Sequence, residues 1–276
     1  MKKILVYIAV LLIPCTAFSE TDEKYHSLSF GVNVYYYDYH EKLPEPAKSN
    51  EIGWLPGFLI DYNYRDNNLY IRAALDFTYA KTVYDGSYMD IATGDIFPYT
   101  GKTLNLLLNT EGMIGYIFKG PDTKSAIIPY GGFGYHLWVR ALQGEGGYSE
   151  YYSWNYFQLG LLIEVSPVSP WTVGINAAFK MMFNGRIRVN LSDMSDGYNN
   201  PESDLGSKPG CRIALPVTYA FTDTWRVSFS PWYEYSAIGR GDIFEIYYNG
   251  SLDSYGYEPA SRTHQYGLLI MSTWNF

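Results

Sequence analysis

Cysteine is nearly absent, with only Cys15 and Cys211 in 276 residues. Cys15 lies in an expected leader, and Pro14 before it is not the small residue a lipid-attachment site favours. Cys211 is then unpaired, which excludes an intramolecular disulfide framework. Also missing is an apolar run long enough to cross a bilayer as a helix, which takes about 20 residues. The stretch Ile4 to Ile13 is too short and nothing later replaces it. Positive charge is scarce too: 20 Lys and Arg stand against 28 Asp and Glu, a formal charge of −8. Nucleic acid is bound through Lys and Arg on its phosphates, so it is not expected as a partner. The four histidines, His26, His40, His136 and His264, show no metal-ligand spacing. No metal or cofactor is expected.

Aromatics, by contrast, are abundant, with 29 Tyr and 7 Trp. The first nineteen residues have the parts of a secretory signal: Lys2 and Lys3, the short apolar run, and the small-residue exit Ala17-Phe18-Ser19. Residues 1–19 are expected to be removed, leaving 20–276 as a single domain without a linker-like break. From Tyr25 onward the hydrophobic pattern has period 2. It predicts ten strands, near 26–38, 53–65, 68–84, 102–119, 125–140, 153–166, 170–188, 209–221, 224–239 and 262–276. Their connections alternate. Arg65-Asp66-Asn67-Asn68, Gly120-Pro121-Asp122, Pro167-Val168-Ser169-Pro170 and Thr222-Asp223-Thr224 are tight turns. Between them lie five long segments, 39–52, 85–101, 141–152, 189–208 and 240–261.

Short turns at one end and long loops at the other predict an all-β fold, a closed antiparallel up-and-down transmembrane barrel in the outer membrane. The short turns and both termini are then periplasmic. The strand faces agree. In the seventh strand Val173, Ile175, Ala177, Phe179, Met181 and Phe183 oppose Thr172, Gly174, Asn176, Lys180 and Asn184. A soluble β-sandwich also alternates, with its apolar row inside. Strands of 12 to 18 residues favour the barrel, since soluble strands average about 5 to 6. So do apolar rows that end in aromatics: Tyr64, Tyr116, Phe118, Trp171, Phe221, Trp225, Trp274 and Phe276 at the short-turn end, and Tyr36, Trp54, Tyr79, Phe183, Tyr235 and Tyr266 toward the loops. Trp and Tyr form such girdles at headgroup level. The last strand reads as an insertion signal for the barrel-assembly machinery, with Ile270, Trp274 and Phe276 on one row. Met271 stands where a Gly is common, and Gly267 is the candidate to replace it.

Several motifs in order are similar to a family of bacterial outer-membrane β-barrel proteins of unassigned role. These are Tyr35-Tyr36-Tyr37, Asp61-Tyr62-Asn63-Tyr64-Arg65 before Asn67-Asn68-Leu69, Pro129-Tyr130-Gly131-Gly132-Phe133-Gly134-Tyr135, Leu191-Ser192-Asp193 and Tyr255-Gly256-Tyr257-Glu258-Pro259. The resemblance covers most of 20–276 and implies a porin-like fold and location, with no activity attached.

Placing the polar rows inside puts Arg72, Lys180, Arg212 and Arg226 in the lumen with Asp61, Asp76, Glu111, Glu164 and Glu234. This nearly balanced set reads as a plug that stabilises the barrel, since ten strands are far from the sixteen or so that leave an aqueous pore. The leading expectation is therefore a non-enzymatic surface barrel, in contact with outer-membrane lipid, whose acidic, Tyr-rich loops meet an extracellular partner. A narrow channel is one alternative. Another is a rim-located enzyme of the kind seen in omptin-type proteases, which resemble this chain in strand count. Closure brings the first strand beside the last, so Asp38 and His40 would approach His264, the residue chemistry of a general base.

Overall fold

A computed structural model describes residues 25–89, 93–121, 124–144 and 146–276. The leader, residues 1–19, lies outside them. Ten long antiparallel strands make up the wall among the described residues: β1 Tyr25–Glu41, β2 Ser49–Asp66, β3 Leu69–Met89, β4 Ile96–Tyr116, β5 Ser125–Gln143, β6 Ser149–Val168, β7 Trp171–Asn190, β8 Pro209–Ala214 continuing as Val217–Ala220, β9 Trp225–Ile238 and β10 Ser261–Asn275. Each pairs with its chain neighbours, and β10 closes the circle on β1, from Ser27 opposite Asn275 to Glu41 opposite Ser261. The break in β8 falls at Leu215-Pro216, where Pro216 has no N–H for the ladder.

The alternation predicted from the sequence sorts the two faces. On β1, Tyr35, Tyr37 and Tyr39 are buried inside, while Phe30 is 50 % exposed and Val32 and Val34 stand out beside it. Trp54, Phe58, Ile114, Phe133, Leu159, Phe179 and Phe229 extend the exposed apolar surface around the wall. A soluble sandwich would bury that row. A continuous apolar belt of this size needs lipid to cover it, and a sheet can cross lipid without unpaired backbone groups only when it is closed.

The strands run further at the long-loop end than the sequence implied. β3 and β4 reach Met89 and Ile96, and β2 and β6 begin at Ser49 and Ser149. Ladder hydrogen bonds hold these extensions together after the apolar-out pattern has faded, so they pass as loop in a hydropathy reading. The last connection also contains a hairpin, Ile243–Tyr248 paired with Ser251–Tyr257. Asn249 and Gly250, both at positive φ, make its two-residue turn. In the preceding connection the short strand Glu202–Leu205 lies along the end of β7.

β7 carries one extra residue opposite Trp154, with Asn184 at φ 50°. Beyond this bulge the inward row changes parity, from Lys180 and Met182 to Gly185, Ile187 and Val189, and Arg186 and Arg188 turn outward. Between β5 and β6, inward rings lie flat over glycines of the partner strand. Tyr130 covers Gly160 and Tyr156 covers Gly134, so a Cβ at either glycine would run into the ring.

Candidate functional site in the barrel interior

All nine lumen charges read from the sequence line one cavity of about 280 Å³ in the short-turn half of the barrel. They form linked clusters. Arg72 joins Asp61 on β2 to Glu111 on β4, donating from Nη1 to Oε1 at 2.8 Å. Glu111 also accepts from the Tyr156 hydroxyl at 3.1 Å and from Gln158 at 3.3 Å. Lys180 and Arg212 both donate to Glu234, each at 2.9 Å. Asn33 donates to Asp76 at 3.3 Å. The Arg226 guanidinium stands 5.7 Å from the Tyr25 ring centroid. Glu164 is gripped in bidentate fashion by Arg65, at 2.6 and 2.9 Å, a cation that the sequence pattern assigns to the Arg65-Asp66-Asn67-Asn68 turn. Its place on the row of Asp61 and Asn63 was the available signal. With Arg65 the cavity is lined by five cations and five carboxylates, so it carries no one-sign field to steer ions.

The lumen is filled above this cavity. Trp232 donates its indole N–H to Asn33 at 2.9 Å and stacks on Arg212 at 4.2 Å. Tyr35, Tyr37, Tyr39, Trp138, Tyr152, Leu55 and Ile187 pack with it into one buried cluster. Set into that cluster is a second polar network, which hydropathy reading missed because four of its members sit at strand ends or in predicted loops. Arg140 on β5 donates from Nε to Glu51 at 2.8 Å, and from Nη1 to Glu150 at 2.9 Å and Glu41 at 3.3 Å. Glu51, with no exposed surface, also accepts from Thr82 and Asn105. Rings of Tyr39 and Tyr84 lie 5.3 and 5.4 Å from the guanidinium. A fourth carboxyl, Glu258, enters from the last loop and accepts from the Tyr152 hydroxyl at 3.0 Å. Burial first, then the charges of Glu41 and Glu150, hold Glu258 well above the usual carboxylate range, against the pull of Arg140.

The rim residues are brought together, but on the outer wall. Asp38 lies directly across from His264, and its carboxylate meets His40 Nε2 at 2.6 Å. His40 Nδ1 meets Asn50 at 2.6 Å, and His264 Nδ1 meets the Tyr233 hydroxyl at 2.8 Å. These side chains share the outward row of Val34 and Tyr36, just beyond the Tyr36, Trp54 and Tyr266 aromatic contacts. Sequence placed them together at the rim, and the parity of β1 sets them on its outer face. Of the last-strand residues, Ile270, Trp274 and Phe276 face outward, and Phe276 exchanges two backbone hydrogen bonds with His26. Gly267 faces inward between Tyr35 and Trp232, where a Cβ would strike Tyr35. Cys211 is free and exposed.

No family model matches this chain, and none of the curated proteins does. Solved structures do. The outer-membrane protease OmpT of Escherichia coli superposes with a TM-score of 0.54 at 11% identity, covering 94% of this chain and 99% of its own. The chain has an outer-membrane β-barrel fold. Two further barrels overlay more loosely. A variant of the Pseudomonas putida monoaromatic hydrocarbon channel TodX gives a TM-score of 0.39 at 10% identity, over 92% of this chain and 91% of the other. Neisserial surface protein A gives 0.31 at 14% identity, over 88% and 95%. At 11% identity the likeness to OmpT is one of fold.

Proposed function

We propose that the protein is an integral outer-membrane barrel without enzymatic activity, with a plugged interior and loop-bearing strand extensions that form an interaction surface outside the cell. The observation that carries this is the packed upper lumen: Trp232, Trp138, the inward tyrosines and the Arg140 network occupy the space a conduit would need. Its leader directs export, the short turns and both termini face the periplasm, and the last strand serves the assembly machinery. The test has two arms. Folded, purified protein is expected to give no discrete conductance steps in planar bilayers. Removal of the Ile243–Tyr257 hairpin is expected to change cell-surface binding while leaving folding intact. Reproducible conductance would make the barrel a channel, and unchanged binding after loop removal would leave the loops as mere solvated connections.

One observation favours a second reading, an enzyme at the outer wall: the 2.6 Å contact between Asp38 and His40, with His264 opposite. OmpT, named as a protease, has this fold. Peptide cleavage by purified protein that disappears in Asp38→Asn and His40→Ala variants would establish it.

A further inference from the structure

The hairpin of the last loop has two unlike faces. Phe244 packs against the barrel core and Tyr248 against Tyr198, 4.8 Å between centroids. The other face carries the cross-strand pairs Ile243 with Tyr257, Glu245 with Tyr255, and Tyr247 with Leu252. It is uncovered: Ile243 is 66% and Tyr255 63% exposed.

This face is held rigid from behind. Asn199 in the neighbouring loop receives the Tyr247 N–H at 2.8 Å, donates its side-chain amide to the Glu245 carbonyl at 3.1 Å, and gives its own N–H to the Tyr247 carbonyl at 3.2 Å. Asn249 donates to the Gly197 carbonyl at 2.9 Å, Asp242 to the Asp204 carbonyl at 3.1 Å, and the Ser203 hydroxyl to the Asp242 carbonyl at 2.9 Å. A surface already ordered loses little freedom when a partner lands on it. Its chemistry points to one class of partner. Tyr255 and Tyr247 flank the Glu245 carboxylate, a combination that serves a guanidinium twice, by hydrogen bonds in the plane and by ring stacking. The protein provides its own example at the edge of the same face, where the Arg240 guanidinium lies 4.1 Å from the Tyr257 ring centroid. Asp253 adds negative charge to the hairpin of a chain whose formal charge is −8.

We infer that the outer face of this hairpin is a docking surface for a basic, arginine-bearing polypeptide segment. The inference rests on the surface-interaction reading and specifies its partner. The test uses the folded full-length barrel in detergent micelles and a fluorescent nona-arginine peptide at low ionic strength. Saturable binding is expected, weaker for nona-lysine, and reduced about tenfold or more in Glu245→Gln/Tyr255→Ser, the loss of one charge-assisted and one stacking contact. Both positions are exposed, and heat-modifiable migration on gels confirms that the variant is folded. Equal affinity of wild type and variant overturns the inference, as does retention of a neutral oligosaccharide or an anionic vesicle in place of the peptide. If the peptide ignores the hairpin while hairpin deletion still alters binding to cells, the partner class is wrong and the surface reading stands. If neither changes, both fall.

Discussion

Replacing Arg140 with Met keeps an unbranched stem and removes the guanidinium charge from among Glu41, Glu51 and Glu150. Glu51 has no exposed surface, so its carboxylate cannot turn to water. Breaking a buried pair by removing one partner costs about 3 to 5 kcal/mol. Urea unfolding of the barrel in lipid vesicles, followed by tryptophan fluorescence, measures the loss against the wild-type protein. Arg140→Met/Glu51→Gln should recover part of it, because the orphaned charge is gone while the hydrogen bonds from Thr82 and Asn105 still have an acceptor. A deficit well below about 3 kcal/mol, or no recovery in the double variant, would refute the burial argument.

Glu258 makes the wild-type protein sensitive to pH. Because its carboxyl is raised, its contribution is complete at acid pH and is lost as pH rises through the raised value, as the deprotonated group faces Glu41 and Glu150. Hydrogen-exchange protection in the last loop, corrected for the intrinsic base-catalysed rate, should fall with rising pH, and Glu258→Gln should flatten that dependence. Trp232→Ala should cost about 3 to 5 kcal/mol and enlarge the short-turn cavity upward. Conductance appearing only in this variant would show that Trp232 closes the lumen; silence in both would place the block in the Arg140 layer. Gly160→Val drives side-chain atoms into the Tyr130 ring, and overpacking of this kind costs about 1 to 3 kcal/mol. Refolding yield should fall, with recovery in Tyr130→Ala/Gly160→Val.

The wall of the barrel was legible because lipid imposes a simple rule: residues such as Phe229 and Ile175 must alternate with residues such as Ser228 and Asn176, and period 2 survives in the sequence. The nine lumen charges followed from that rule alone. Arg140, Glu51, Glu41 and Glu150 were not read, although they form the most deeply buried network. Beyond the aromatic girdle apolar residues stand on both faces, Tyr39 and Trp138 inside and Val83 outside, so parity carries no hydropathy signal, and pairing across several strands cannot be seen along one. Asp38 and His40 were legible as far as the closure of β1 on β10, which brings them to His264 at the rim. That argument did not specify a face of the wall, and the outward one follows from the parity of β1. The Asn249-Gly250 turn could have been recognised, since that dipeptide between aromatic runs is a strong local hairpin signal.

The rings seated over Gly160 and Gly134 also count residues. A sliding strand must move by two to keep its faces, since a slip of one turns the apolar row inward. In the observed register Tyr130 stands opposite Gly160. Two residues one way its ring would meet Gln158, and two the other way Leu162, each bearing the side chain that Gly160 lacks. Between these strands the ring acts as a key cut for one lock, so a hairpin zipped in the wrong register stays ajar and can reopen before the barrel shuts.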